Sequence, residues 1–126
     1  IGKRNPLYCT ATGKAILAYL PEEEIREVWN KSKIVKLTKK TNTDFILFKK
    51  ELQEVKKNGY AIDDEENEIG VKCVGAPIFD MNGDVVAAIS VTGPVTRITD
   101  DKIDFISNEV MQCTNLISKE MGYKLK

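Results

Sequence analysis

Apolar residues recur along this chain with two different periods, and the period changes near residue 60. Before that point, spacings of three and four dominate. Residues 11–20 read as a short apolar helix holding Ala15, Ile16, Leu17 and Ala18, with Thr10 or Thr12 able to cap its start. Pro21, followed by Glu22, Glu23 and Glu24, suits the N-terminus of a second helix and its dipole. That helix buries Ile25, Val28 and Trp29. Over residues 43–57, Phe45, Phe48, Leu52 and Val55 share one helical face. Thr43 or Asp44 caps this third helix, and Asn58-Gly59 ends it.

After residue 60 the pattern becomes strand-like. Tyr60-Ala61-Ile62 is a short apolar run. Residues 70–79 and 85–92 are longer and rich in Val and Ile, and Asn82-Gly83 between them is a strong hairpin signal. Alternation along the second run places Val85, Ala87, Ile89 and Val91 on one face. Val86, Ala88, Ser90 and Thr92 fall on the other. Helical spacing then returns. Thr99 is a candidate N-cap with Asp100 and Asp101 in the first turn, and Ile103, Ile106, Val110, Cys113 and Ile117 recur at three and four until Gly122. Residues 5–9 and 34–37 are weaker strand candidates. The order is three helices, three strands and a long helix. It lacks βαβ alternation, which points to an α+β fold with a mainly antiparallel sheet.

Composition narrows the function. A chain of 126 residues is one domain or part of one. No apolar run reaches the roughly 18 residues of a membrane span, and no signal-peptide pattern opens the chain. Cys9, Cys73 and Cys113 are odd in number and widely spaced, so neither a disulfide framework nor a Cys-x-x-Cys metal motif follows. These features suggest a cytoplasmic protein with reduced thiols and no membrane partner. Net charge is zero, which gives this chain no electrostatic case for binding nucleic acid itself. Residues 31–57 hold nine lysines against Asp44, Glu51 and Glu54, a local charge of +6, read as a solvated helix face that offsets the acidic cluster at 63–66. There is no histidine, which removes Ser-His-Asp and Cys-His catalysis and the commonest transition-metal ligand. No metal or cofactor is expected.

Several residues are candidates for binding. The segment Cys9-Thr10-Ala11-Thr12-Gly13-Lys14-Ala15 puts small residues at a helix start, where free backbone N–H groups favour an anion. Plain capping with close packing through Gly13 is the competing reading, and P-loop spacing is missing. Among Asp63, Asp64, Glu65 and Glu66, consecutive carboxylates point in different directions, so few can converge on one ion. Asp63 closes a strand and could point inward as an acceptor, with the rest solvated. Cys73 sits in a strand and has no histidine to activate it, so it reads as a small hydrophobe rather than a nucleophile. Ser90 and Thr92 place two hydroxyls on one face of an otherwise apolar strand. They bond either to neighbouring backbone or to something in a cavity.

Four segments together carry a family resemblance. They are Pro6-Leu7-Tyr8-Cys9-Thr10-Ala11-Thr12-Gly13-Lys14-Ala15, the run from Gly59 to Glu66, the run from Gly70 to Ile78, and Ala87 to Pro94 followed by Arg97-Ile98-Thr99. In this order the chain resembles the C-terminal effector-binding domain of IclR-type bacterial transcriptional regulators. The resemblance implies a GAF-like (profilin-like) domain, a sheet flanked by helices, spanning 1–126 and lacking its first strands. It implies a small-molecule effector, an organic acid, and no enzymatic activity. It also implies a homodimer or homotetramer, with DNA bound only through an N-terminal winged helix-turn-helix domain outside this chain. Position by position, effector contacts fall on Ala11, Thr12, Asp63, Cys73, Ser90 and Thr92. The N–H groups of Ala11 and Thr12 would hold a carboxylate. Ser90 and Thr92 would donate to it or to a keto or hydroxyl oxygen, Asp63 would accept from a ligand hydroxyl, and Cys73 would line the wall. Thr92 stands where many members carry Ser. The alternative is an oligomerisation module with a vestigial pocket.

Overall fold

A computed structural model describes residues 6–124. The elements follow the order set by the hydrophobic pattern: α1 (Ala11–Leu17), α2 (Glu22–Lys31), α3 (Phe45–Asn58), β1 (Ala61–Asp64), β2 (Val71–Phe79), β3 (Val85–Pro94) and α4 (Ile103–Glu120), with a 3-10 turn at Asp100–Lys102 leading into α4. The helix ends are chemically specified. Thr10 Oγ1 accepts from the Gly13 N–H at 3.2 Å and caps α1. Asp44 Oδ1 accepts from Ile46 N–H at 2.9 Å and caps α3. Gly59, at φ +85°, closes α3 in the left-handed conformation that costs glycine little. α1 is shorter than its apolar run. The N–H groups of Tyr19 and Leu20 bond back three residues to Ile16 and Leu17, and this tightened turn precedes Pro21, which disfavours helical backbone before it.

The three strands form an antiparallel sheet in the order β1-β2-β3. Register places Asp63 opposite Cys73 and Cys73 opposite Thr92, with Gly75 opposite both Ala61 and Ser90. Side chains alternate across a strand, so Ala61, Asp63, Cys73, Gly75, Ser90 and Thr92 share one face. α1 packs on that face, where Ala61 joins Ala15, Leu17, Phe48, Leu52 and Val55 in the larger core. Trp29 closes this core against Phe48, ring centroids 4.8 Å apart. The opposite face carries Val74, which packs with Ile98 and Ile103 beneath α4.

Three sequence expectations need correction. Residues 34–37 form no strand, and neither do the described residues of 5–9, residue 5 lying outside the described chain. The Tyr8 hydroxyl replaces a partner strand, donating to Val35 O at 2.7 Å and accepting from Val35 N–H at 2.9 Å. Alternation also breaks at the start of β3. Phe79 pairs with Val85 but Ile78 pairs with Ala87, so Val86 is a bulged residue and Val85 lies on the face opposite to Ala87. Finally, Cys113 is exposed. The buried stripe of α4 is Ile103, Ser107, Val110, Thr114 and Ser118. Its small side chains let the helix approach the sheet, and their hydroxyls are satisfied: Ser107 donates to Asp104 O at 3.1 Å, Thr114 to Met111 O at 3.1 Å, and Ser118 Oγ accepts the Phe79 N–H at 2.9 Å.

Candidate functional site

Two distant segments meet on the α1 face of the sheet. Gly75 makes this possible: a methyl placed there would lie 3.0 Å from the carbonyl carbon of Ala11 and 3.1 Å from its oxygen. The absent side chain lets the start of α1 rest directly on β2. Asp63, Cys73, Ser90 and Thr92 lie on the same face, so the sheet register gathers four of the six sequence candidates and the close approach at Gly75 brings Ala11 to them. Thr12 follows in the first turn of α1, half-buried. In that turn the backbone N–H groups fall outside the helix's own ladder.

The six are not equally enclosed. Ala11 and Asp63 are buried, Cys73 and Ser90 half-buried, and Thr92 exposed. The face expected to enclose both hydroxyls is therefore open at Thr92, on the edge strand β3. Two clefts elsewhere contain none of the six residues. One, of 340 Å³, lies between the end of α1, α2 and α3 at Ala18, Ile25 and Leu52, and the other, of 310 Å³, lies at Thr38, Lys40, Glu65 and Ile69.

Burial dominates the electrostatics. It pushes the Asp63 carboxyl above its usual range, while the Glu66 N–H, donating to Asp63 Oδ1 at 2.9 Å, and the Lys14 charge pull it back. Burial, reinforced by the charges of Asp63 and Glu66, raises the Cys9 thiol to about 12. Burial raises Cys73 too, against the pull of the neighbouring Thr92 hydroxyl. Neither thiol is suited to nucleophilic work, since the thiolate is the reactive form. Among the described residues, no group of three or more acidic or thiol side chains is arranged to hold a metal ion. No described helix is long and apolar enough to cross a membrane.

Two residues of this region were misread or passed over in the sequence. Glu66 belongs to the acidic run taken as solvated beyond Asp63, yet it is buried against Lys14, whose side chain is fully enclosed. Lys14 Nζ donates to both Glu66 carboxylate oxygens at 2.9 Å, to Glu51 Oε1 at 2.5 Å and to Ile62 O at 2.5 Å. Burial alone would lower its pKa, but the charges of Glu66 and Glu51 outweigh that and hold it above the ordinary lysine value. One signal was available. Lys14 is the only charged residue between positions 5 and 20, in a helix otherwise fit for a core. The remainder of the acidic run is more exposed. Asp64 and Glu65 each face Lys40 at 3.3 Å, so part of the lysine-rich stretch does offset the cluster.

Comparison with known proteins identifies the family and the fold. The family model described as the bacterial transcriptional regulator IclR C-terminal matches residues 1–119. The HTH-type transcriptional regulator KdgR of Escherichia coli (strain K12) is 33% identical over 123 residues, covering 98% of this chain and 47% of that protein. The chain thus spans about half the length of the curated relatives it matches. Among solved structures, the Thermotoga maritima IclR superimposes with a TM-score of 0.88 at 44% identity, covering 93% of this chain and 47% of the other. A double mutant of the PobR inducer-binding domain from Acinetobacter, in complex with 3-hydroxybenzoic acid, superimposes with a TM-score of 0.82 at 27% identity, covering 98% and 71%. The curated relatives are regulators of transcription, not enzymes. With a family model matching nearly its whole length and a sheet-and-helix fold shared with these structures, the chain belongs to the IclR family of bacterial transcriptional regulators, of which it forms the C-terminal part.

Proposed function

We propose that this chain is the effector-binding module of an IclR-type regulator and that its ligand is a small organic acid. The observation that carries the reading is the convergence of Asp63, Cys73, Ser90 and the start of α1 on one face of the sheet. The first-turn N–H groups of Ala11 and Thr12 hold the carboxylate. Ser90 and Thr92 donate to its oxygens or to an adjacent keto or hydroxyl group. Asp63 accepts from a ligand hydroxyl and Cys73 forms the wall. The acid-bound inducer-binding domain of PobR, at 27% identity, supports an acid as the ligand class.

The regulator works in the cytoplasm as a homodimer or homotetramer, and DNA is bound by a winged-helix domain outside this chain. The sensor domain is completed by strands that also lie outside it. What supports this is β3, a ten-residue edge strand with Val86 and Val91 exposed, the kind of apolar edge that natural proteins cover. The acid shifts the regulator between states only by binding one of them better than the other.

Thermal shift on the full-length protein tests the reading with pyruvate, lactate, gluconate and 3-hydroxybenzoate. At roughly 100 times Kd, a bound acid adds about 2.7 kcal/mol to stability. Ser90→Ala should abolish that shift while leaving the ligand-free melting temperature nearly unchanged. If all four acids fail and Ser90→Ala leaves regulation intact, the reading is wrong. A second reading, an oligomerisation module with a vestigial pocket, is favoured by the exposed Phe105 and Leu116 of α4. It predicts stable oligomers that no acid shifts.

A further inference from the structure

We infer that Lys14 is a positioning residue for the Asp63 end of the candidate site, acting through Glu66; the inference rests on the binding reading above. Lys14 has three ammonium protons and no exposed surface, so its acceptors determine what it does. Those acceptors come from three places: Glu51 on α3, Ile62 on β1, and Glu66 in the turn after β1. Ile62 and Glu66 flank Asp63 on either side. The single ammonium therefore pulls both flanks of Asp63 toward α1, one helical turn from Ala11.

The two carboxylates play different parts. Glu51 reaches in from the rim, its side chain 31% exposed, and Lys14 is its described partner. Glu66 is the centre of a connected turn. Its Oε2 also accepts the Asp64 N–H at 3.1 Å, its own N–H donates to Asp63 Oδ1 at 2.9 Å, and its carbonyl accepts the Thr41 hydroxyl at 2.5 Å. The path from Lys14 to the Asp63 carboxylate thus runs through Glu66. Lys14 also supplies the positive charge that lets Glu66 and Asp63 be buried near each other. Loss of the Glu66 side chain removes this path and leaves only the Ile62 carbonyl contact, whereas loss of Glu51 removes a similar ion pair and leaves both intact.

Amide exchange and calorimetric binding of pyruvate and 3-hydroxybenzoate, measured on the full chain, separate the two carboxylates. Glu66→Ala should speed exchange of the residue-66 amide by about tenfold relative to Val74 in β2, which serves as the reference for global opening. It should weaken acid binding by a similar factor. Glu51→Ala should change both by less than about twofold at a comparable loss of stability. If Glu66→Ala does not fold, Glu66→Gln compared with Glu51→Gln makes the same contrast, because glutamine removes the charge and replaces with a donor one of the two oxygens that Lys14 and the Asp64 N–H share. Equal effects of the two substitutions, tracking melting temperature, would show that Lys14 is merely structural and overturn the inference. If wild-type protein binds no acid but the exchange contrast holds, the binding reading fails while Lys14 still positions Asp63. If wild-type protein binds acid without the contrast, the binding reading survives and the inference falls.

Discussion

The two faces of the sheet are covered in opposite ways. α4 lies on one face with 18 residues, and its contact is made by Ile103 and Val110 together with short hydroxyl side chains that bond within the helix or to the sheet. α1 lies on the other with 7 residues and brings a buried ammonium, which meets two glutamates beside the carboxylate and thiols of Asp63, Cys73 and Cys9. The first face is mainly a packing surface, and its one buried lysine on β2, Lys72, reaches out to the exposed Asp100 at 2.9 Å rather than to a buried partner. The second holds charge at the cost of desolvation, and that cost is offset only if every partner stays in place. This enclosed charge beside Asp63 is what supports the binding reading of the α1 face.

Removing the ammonium should break this contrast most severely. Lys14→Met keeps the bulk but leaves Glu66 buried without a counter-charge, and the loss should be roughly 3–5 kcal/mol in urea unfolding. A cost below that of an ordinary core truncation would mean that water reaches Glu66 and that the two faces differ less than described. Next in size is Gly75→Ala. The added methyl would meet Ala11 backbone atoms at 3.0–3.1 Å, so the start of α1 must give by a few tenths of an ångström. A loss of roughly 1–3 kcal/mol is expected, as for other overpacked cores. Binding of acid should weaken more than stability alone explains.

A smaller effect should appear on titration. Burial raises the Asp63 pKa above its usual value, so the folded state holds this proton at pH values where the unfolded chain has released it. The sign follows from linkage: the stability Asp63 contributes is fully present below its unfolded pKa and is lost as pH rises through its folded pKa. Relative to Asp63→Asn, which does not titrate, wild-type protein should gain stability as pH falls from neutral toward 4. A difference that stays flat across that range would place Asp63 in a wetter setting than its burial indicates. The smallest effect is on thiol labelling. Cys113 on the solvent side of α4 should react first with iodoacetamide at pH 8. Cys9, raised to about 12 and fully buried, should react only on unfolding. Early labelling of Cys9 would show that the α1 face opens.

Much of the fold was legible because it rests on local signals. The periodicity of Phe45, Phe48, Leu52 and Val55, Asp44 at one end and Gly59 at the other fix α3 almost to the residue. Asn82-Gly83 gave the hairpin. The bulge at Val86 was not legible, because a bulge is a mismatch between two strands and neither strand shows it alone. The buried face of α4 was misassigned at Cys113 for a related reason. Small hydroxyl residues look polar in sequence, and they are buried here only because the sheet comes close enough to exclude larger ones.

The candidate site divides along the same line. Sequence by itself determined the elements, the hairpin, the absence of histidine chemistry and, through four ordered motifs, the family. It also placed Ser90 and Thr92 on one face, since strand alternation is a property of the backbone. Only the tertiary structure decided that Asp63, Cys73 and Thr92 stand in register across three strands, and that Ala11 sits on Gly75. It alone showed that Glu66 is buried against Lys14. Those facts depend on pairings between residues up to 64 positions apart, from Ala11 to Gly75. Which face of a segment meets which partner is settled by packing and charge compensation over the whole molecule, and no local period encodes it.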